Sequence, residues 1–423
     1  MKLAAAVVVQ LPLLAAACVD HAHYLAARQA ASSSSAAAAS SGTAAPTSSV
    51  ASGSATSISA PPTVSVSLIS QNPTAVPLNS ISANMATSAT IALATTFAPG
   101  STPSAIPNAP ALPDISSLNP ANYPTMDKPP PTDSSQVQTW IQQVANSGIS
   151  IPNISVTVGA AACSANPAAA ADSSRCWWTC GGCTRDTDVT TCPDQLTWGL
   201  TYDDGPAFYT PNLLQYLDAN NLKTTFFTIG SRILEEPHTL QVEYMTGHQI
   251  GVHTWSHPPL TTLTNEEIIA EFGWTKQIIK DITGVTPNTF RPPYGDIDDR
   301  VRAIATAMGL TPVMWTRLSP TATFDTGDFN INGGTISSSE VIANWNAIMG
   351  NATSIQTGFI VLEHDLFQQT VDLATGYILP EALAHQPAFK MMPVITCLNK
   401  PLADAYVETN NNSTNPPPSA SEY

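Results

Sequence analysis

Adjacent aspartates in Thr201-Tyr202-Asp203-Asp204-Gly205-Pro206 are followed along the chain by two histidines in His253-Thr254-Trp255-Ser256-His257. One carboxylate and two imidazoles can hold a divalent cation while leaving coordination positions for water. The second carboxylate, free of the cation, can take a proton from that water. The set predicts metal-assisted hydrolysis. Imidazole and carboxylate donors suit Zn2+, and also Co2+, Ni2+ or Mn2+. Gly251 before the histidines and Pro258-Pro259 after them argue against a regular helix. The histidine spacing is therefore expected from a strand end and a turn.

Such residues need a scaffold that brings distant segments to one place. Alternating strand and helix patterns begin near Gln195. Strands are expected over 196–202, ending at the aspartates, then 224–229, and 250–254, ending at the histidines. Further strands are expected over 289–291, 312–316 and 359–364, with 394–398 closing the sheet. Between them, Leu213, Leu214 and Leu217 lie at helical spacing in 211–220, and 240–245 reads as helical. A long helix over 264–282 starts at a capping box, Thr264 with Glu267, and stops at Gly284. Helices follow over 298–308, over 337–349 with a box from Ser337 to Glu340, and over 371–385 with a break near Pro380. Repeated strand–helix units with continuous apolar strands predict an α/β fold, a barrel or a doubly wound parallel sheet. Asp203, His253, Arg291 and His364 all fall at or just after carboxyl ends of strands, where a β/α barrel gathers its active-site residues.

The remaining sequence points to an exported chain. Residues 1–18 carry Lys2 and an apolar run ending in small residues, the pattern of a signal peptide. Residues 19–132 are rich in Ser, Thr, Ala and Pro, a composition expected of a disordered, O-glycosylated stalk. A Cys-rich transition over 133–194 precedes a catalytic domain over 195–400, and 401–423 reads as a disordered tail. Cys163, Cys176, Cys180, Cys183, Cys192 and Cys397 form an even set, so three disulfides are expected, with open connectivity. Cys180-Gly181-Gly182-Cys183 alone could also be half a zinc knuckle or a redox pair. Trp177 and Trp178 could stack on sugars or plug a core beneath a disulfide. Asn153, Asn351 and Asn412 open glycosylation sequons. A net charge of −16 over 423 residues argues against a nucleic-acid partner. No segment reads as transmembrane, and a glycolipid anchor would need further chain beyond Tyr423.

Five ordered segments together resemble the motifs of the NodB-type polysaccharide deacetylases, carbohydrate esterase family 4. They are 201–206, His253 to His257, Arg291-Pro292-Pro293-Tyr294, Asp325-Thr326-Gly327-Asp328-Phe329 and Leu362-Glu363-His364-Asp365-Leu366. The stalk and the Cys176 to Cys192 segment resemble those of fungal chitin deacetylases. The resemblance implies a distorted (β/α) barrel, the NodB homology domain, with a divalent metal on Asp204, His253 and His257. Zn2+ is expected, with Co2+ as an alternative. It implies Asp203 as general base, paired with Arg291, and His364 as general acid, oriented by Asp328. The Tyr294 backbone N–H would hold the oxyanion. Phe329, where the family usually has tryptophan, would line an acetyl pocket with Leu366. The implied protein is a secreted, monomeric enzyme without a transmembrane segment, associated with the cell wall and acting on chitin or its oligomers. Another acetylated glycan, peptidoglycan or acetylxylan, and a non-catalytic cell-wall glycoprotein are the alternatives. Asp325 and Asp365 read as supporting or surface groups, Asp296 as a loop residue, and Asp298 and Asp299 as helix caps.

Overall fold

The structure, a computed structural model, describes residues 68–410. The expected signal peptide and the sequon at Asn412 lie outside the described residues. The centre of the fold is a distorted (β/α) barrel of short parallel strands. Strands β1 (Thr197–Gly199) and β2 (Thr201–Asp203) replace the single expected strand. Helix α1 (Ser135–Asn146) lies ahead of them. After β2 come α2 (Thr210–Ala219), β3 (Thr225–Thr228), α3 (Gly230–Glu235), α4 (Pro237–Met245) and β4 (Gln249–Val252). Then α5 (Asn265–Thr283), β5 (Thr289–Phe290), α6 (Asp299–Ala307) and β6 (Thr311–Pro312) follow. The last units are α7 (Ser338–Ala352), β7 (Phe359–Ile360), α8 (Gln368–Leu373), α9 (Leu379–Ala384) and β8 (Lys390–Met392).

One sheet runs β2-β3-β4-β5-β6 and the other β7-β1-β8, all parallel. The two join at a bridge between Asp203 and His364 and at the Thr316 N–H, which donates to Ile360 O at 3.0 Å. Leu200 is where the expected first strand passes from one sheet to the other. Its N–H donates to Met392 O and its carbonyl accepts from Thr225 N, both at 2.9 Å. Residues 394–398 do not close the sheet. Val394–Cys397 is a helical turn after Pro393, and the last strand, β8, pairs with β1 at the edge of the three-stranded sheet. The Val394 N–H instead donates to Thr225 Oγ1 at 2.8 Å, a bond outside any ladder.

Helix ends follow local chemistry. Both capping boxes form, at Thr264 with Glu267 and at Ser337 with Glu340, and Gly284 closes α5 in the left-handed conformation. Asp298 caps α6, and Pro380 starts α9 after a π-helical turn at Ala374–Ile378. The break in the helical ladder leaves the Gly376 carbonyl to accept from Asn72 N at 2.8 Å.

That bond belongs to a segment expected to be stalk. Residues 68–132 instead run along the barrel. Ile81, Ile106 and Leu112 are buried in the main core. The Ser88 N–H donates to Gln368 Oε1, Tyr123 Oη to Asp281 Oδ2, and Tyr377 Oη to Val76 O. Sparse apolar anchors, diluted by Ser and Pro in the composition, hold it, and the barrel supplies partners for its backbone. Of the expected tail, residues 411–423 lie outside the described residues. Residues 401–410 pack on the barrel, with Tyr406 buried and its hydroxyl accepting from Ile250 N at 2.9 Å.

Three disulfides form, Cys163–Cys180, Cys176–Cys183 and Cys192–Cys397. Trp177 and Trp178 are both buried against the barrel beneath this Cys-rich loop. Asn153 is exposed and Asn351 half-buried on α7. Among the described residues, no helix is long and apolar enough to cross a membrane.

Candidate metal centre and active site

Asp203 closes β2, and the chain turns at Asp204, which takes a left-handed φ of 79°. His253 follows β4 directly, and Thr254 and His257 are also left-handed, at φ 65° and 62°. Tyr294 is the fourth such residue around the site, at φ 60°. This conformation costs about 1–2 kcal/mol per non-glycine residue. Tertiary contacts must hold the turns, and such strain commonly collects at functional sites.

Asp204, His253 and His257 are buried, and one ligand-type atom from each lies within 4.8 Å of the others. His253 Nδ1 is 2.8 Å from the Arg291 carbonyl, so it carries the proton and donates. In the neutral ring Nε2 is then a lone pair, and it faces Asp204 Oδ1 at 3.3 Å. His257 Nε2 approaches the same oxygen at 3.2 Å. Neither Asp204 oxygen accepts a hydrogen bond. A divalent cation among these three side chains would meet a ligand atom from each. The donor set therefore fits a divalent metal, and a metal-binding triad is present. Burial opposes ionisation of Asp204, but His257, His253 and His364 outweigh it and hold its carboxyl far below the ordinary range.

Asp203 points to a different partner. Its Oδ1 accepts from Arg291 Nη1 at 2.8 Å, while Oδ2 lies 3.9 Å from His253 Nε2. Arg291 is fully buried. Its guanidinium also donates to Thr201 Oγ1 at 2.9 Å and to Val313 O at 3.2 Å, and lies over the Phe227 ring. A guanidinium held at this many points fixes the direction of the carboxylate.

His364 pairs with Asp203 across the sheet junction. Its Nδ1 donates to Asp328 Oδ1 at 2.7 Å, and its backbone N–H donates to Asp328 Oδ2 at 2.9 Å. Burial disfavours the charged ring. Asp328 more than offsets this, Asp204 and Asp203 add to it, and the pKa is pushed up to about 10. Phe329 lies against His364 and Phe367, and it packs on an apolar cluster of Ala207, Leu366 and Phe367. Tyr294 is exposed, with its ring 4.6 Å from that of His257.

Further side chains support the site, among them Asp365, one of the groups read as supporting or surface. Asp365 is buried, accepts from Thr210 Oγ1, and has its carboxyl pushed up by burial to about 7. Asp296 is a loop residue, as expected, and it is fully buried. It accepts from Trp177 Nε1, Thr179 Oγ1 and both the N–H and hydroxyl of Thr261. It thereby ties the Cys-rich loop to the turn carrying Tyr294. Glu271 is also buried and bonded to the loop between the histidines. A polar residue inside an amphipathic helix carries no signal of a partner that distant in sequence. Ala207 and Phe367 join the apolar cluster although only Phe329 and Leu366 were expected there.

Residues 190–313 match a family described as polysaccharide deacetylase. A chitin deacetylase 1 of Cryptococcus neoformans var. grubii is 54% identical over 341 residues, spanning 80% of this chain and 71% of that protein. A chitin deacetylase of Amylomyces rouxii is 40% identical over 248 residues, 56% of each chain. Among solved structures, the chitin deacetylase of Colletotrichum lindemuthianum is 25% identical, with a TM-score of 0.46. That match covers 52% of this chain and 94% of the other.

Proposed function

The chain belongs to the polysaccharide deacetylase family, and from that premise we propose that it removes N-acetyl groups from the N-acetylglucosamine residues of chitin, giving chitosan and acetate. The observation that carries the reading is a pair of polar dyads beside one metal triad. Asp203 with Arg291 and His364 with Asp328 adjoin Asp204, His253 and His257. One dyad can accept a proton and the other can give one. The substrate rests on the relatives named chitin deacetylase.

Asp204, His253 and His257 would hold the metal, with Zn2+ the best match to two imidazoles and a carboxylate. When bound, such an ion polarises a carbonyl and acidifies water. The protein's residues do the rest. Asp203 takes a proton from the attacking water as the water oxygen bonds to the acetyl carbonyl carbon. Arg291 keeps the Asp203 carboxylate directed at that proton. The backbone N–H of Tyr294 donates to the developing oxyanion, an interaction whose loss typically costs about 10²–10³ in rate. As the carbon–nitrogen bond breaks, His364 gives its Nε2 proton to the departing amine. Asp328 accepts from Nδ1 and so directs Nε2 at the nitrogen. Ala207, Phe329, Leu366 and Phe367 offer the acetyl methyl an apolar surface.

The test is acetate release by the purified full chain from chitin oligomers, acetylxylan and peptidoglycan fragments, each with and without chelator. Chelator-sensitive release from chitin oligomers above the other two is expected. Preference for acetylxylan or peptidoglycan would reassign the substrate. No release from any of them with zinc bound would refute the catalytic reading.

A further inference from the structure

The loop from His253 to His257 carries both histidine ligands, yet two of its residues are in the left-handed region. Its shape has identifiable supports. Glu271, fully buried on α5, reaches the loop from inside. Its Oε2 accepts from the backbone N–H of Trp255 at 2.7 Å and of Ser256 at 2.9 Å. Its Oε1 accepts from Ser256 Oγ at 2.6 Å. One carboxylate thus binds two successive amides and a hydroxyl midway between the ligands.

The second support comes from the N-terminal segment. Trp255 is fully buried, and its ring stacks on Tyr123 at 6.2 Å between centroids and 8° between planes. Its Nε1 donates to Thr125 O at 3.2 Å. Tyr123 is itself anchored to α5 through Asp281. Asp127 pairs with Arg232 and accepts from Ser231 Oγ, and Ser231 in turn donates its N–H to Trp255 O. Gly230 makes room for this arrangement, because a Cβ there would lie 2.5 Å from Trp255 Cε3.

We propose that Glu271 and the 123–127 stretch of the N-terminal segment are positioning elements of the metal site, holding the histidine loop in its ligating shape from two sides. Both act through the backbone and ring of Trp255 and through Ser256. The inference rests on the proposed metal site. It assigns the N-terminal segment a part in metal binding that its composition does not announce.

The experiment measures Zn2+ affinity of the full chain by competition with a chromophoric chelator, alongside thermal melts in excess chelator. Glu271→Ala should weaken binding about 10–100-fold, the range for groups that orient metal ligands. Glu271→Gln should keep near wild-type affinity, since its carboxamide oxygen can accept both amides and its nitrogen can donate to Ser256 Oγ. Tyr123→Ala should weaken binding about 10-fold, and Tyr123→Phe, which keeps the stack, should not. The visible spectrum of the Co2+-loaded protein should change in the alanine variants and return in the conservative ones. If Glu271→Ala shows no cooperative melt, Ser256→Ala, which deletes one of the three bonds, carries the test with the same sign. Wild-type affinity in folded Glu271→Ala and Tyr123→Ala overturns the inference. A wild-type chain that binds no divalent cation would instead overturn the metal site itself.

Discussion

Replacing Arg291 with methionine removes the buried charge that faces Asp203 while filling much of the same volume. At 2.8 Å the pair's gross attraction is about 6 kcal/mol at an effective dielectric of about 20. Desolvation of both groups offsets much of this in the intact protein. After the change, Asp203 keeps its desolvation without its partner, and deleting one member of a buried pair costs about 3–5 kcal/mol. Loss of the guanidinium bonds to Thr201 and Val313 acts in the same direction. The assay is urea denaturation in excess chelator, so that bound metal does not contribute to the difference. Arg291→Met should lose about 3–5 kcal/mol. The Asp203→Asn, Arg291→Met double variant should regain at least about 1 kcal/mol of that, because it leaves no unpaired charge. In zinc, kcat of Arg291→Met should fall about 10²-fold through misdirection of Asp203. A loss under about 1 kcal/mol would put the pair with solvent-exposed ion pairs. That result, or a double variant no more stable than Arg291→Met, would refute the reasoning.

Asp328→Asn removes the main influence that raises His364, so less of the ring is protonated at a given alkaline pH, and the alkaline limb of the pH–rate profile should move to lower pH. An unmoved limb would exclude His364 as the proton donor. In chelator, His364 binds its proton more tightly folded than unfolded. Its stabilisation should be complete below its ordinary 6.5 and vanish as pH rises through about 10, and denaturation midpoints of His364→Gln should lack that decline. Gly205→Ala drives a Cβ into the Asp365 carboxylate, so about 1–3 kcal/mol of stability should be lost, measured by urea denaturation. Asp203→Asn should abolish turnover while zinc remains bound, whereas His253→Ala should lose both, as read by acetate release and metal analysis.

Sequence alone was enough for the chemistry that lies close together along the chain. Asp203 and Asp204 are adjacent, and His253 and His257 share one loop, so their residue types and spacing announce a metal site. Capping boxes at Thr264 and Ser337 were equally legible, because each is closed by a residue three places on. Contacts between distant segments were not. Whether Arg291 meets Asp203, or Asp328 meets His364, depends on how strand ends converge at the sheet junction. The first strand looked continuous because alternation registers burial and carries no record of which sheet a residue pairs with at Leu200. Asp296 and Glu271 looked unremarkable because their hydrogen-bond partners come from other loops. The greatest difference lies in residues 68–132. Their average composition is that of a chain unable to bury a core of its own. Packing does not act on averages. Ile81, Ile106, Leu112 and Tyr123 find their partners on a barrel that already exists, and only the tertiary structure could bring that surface to them.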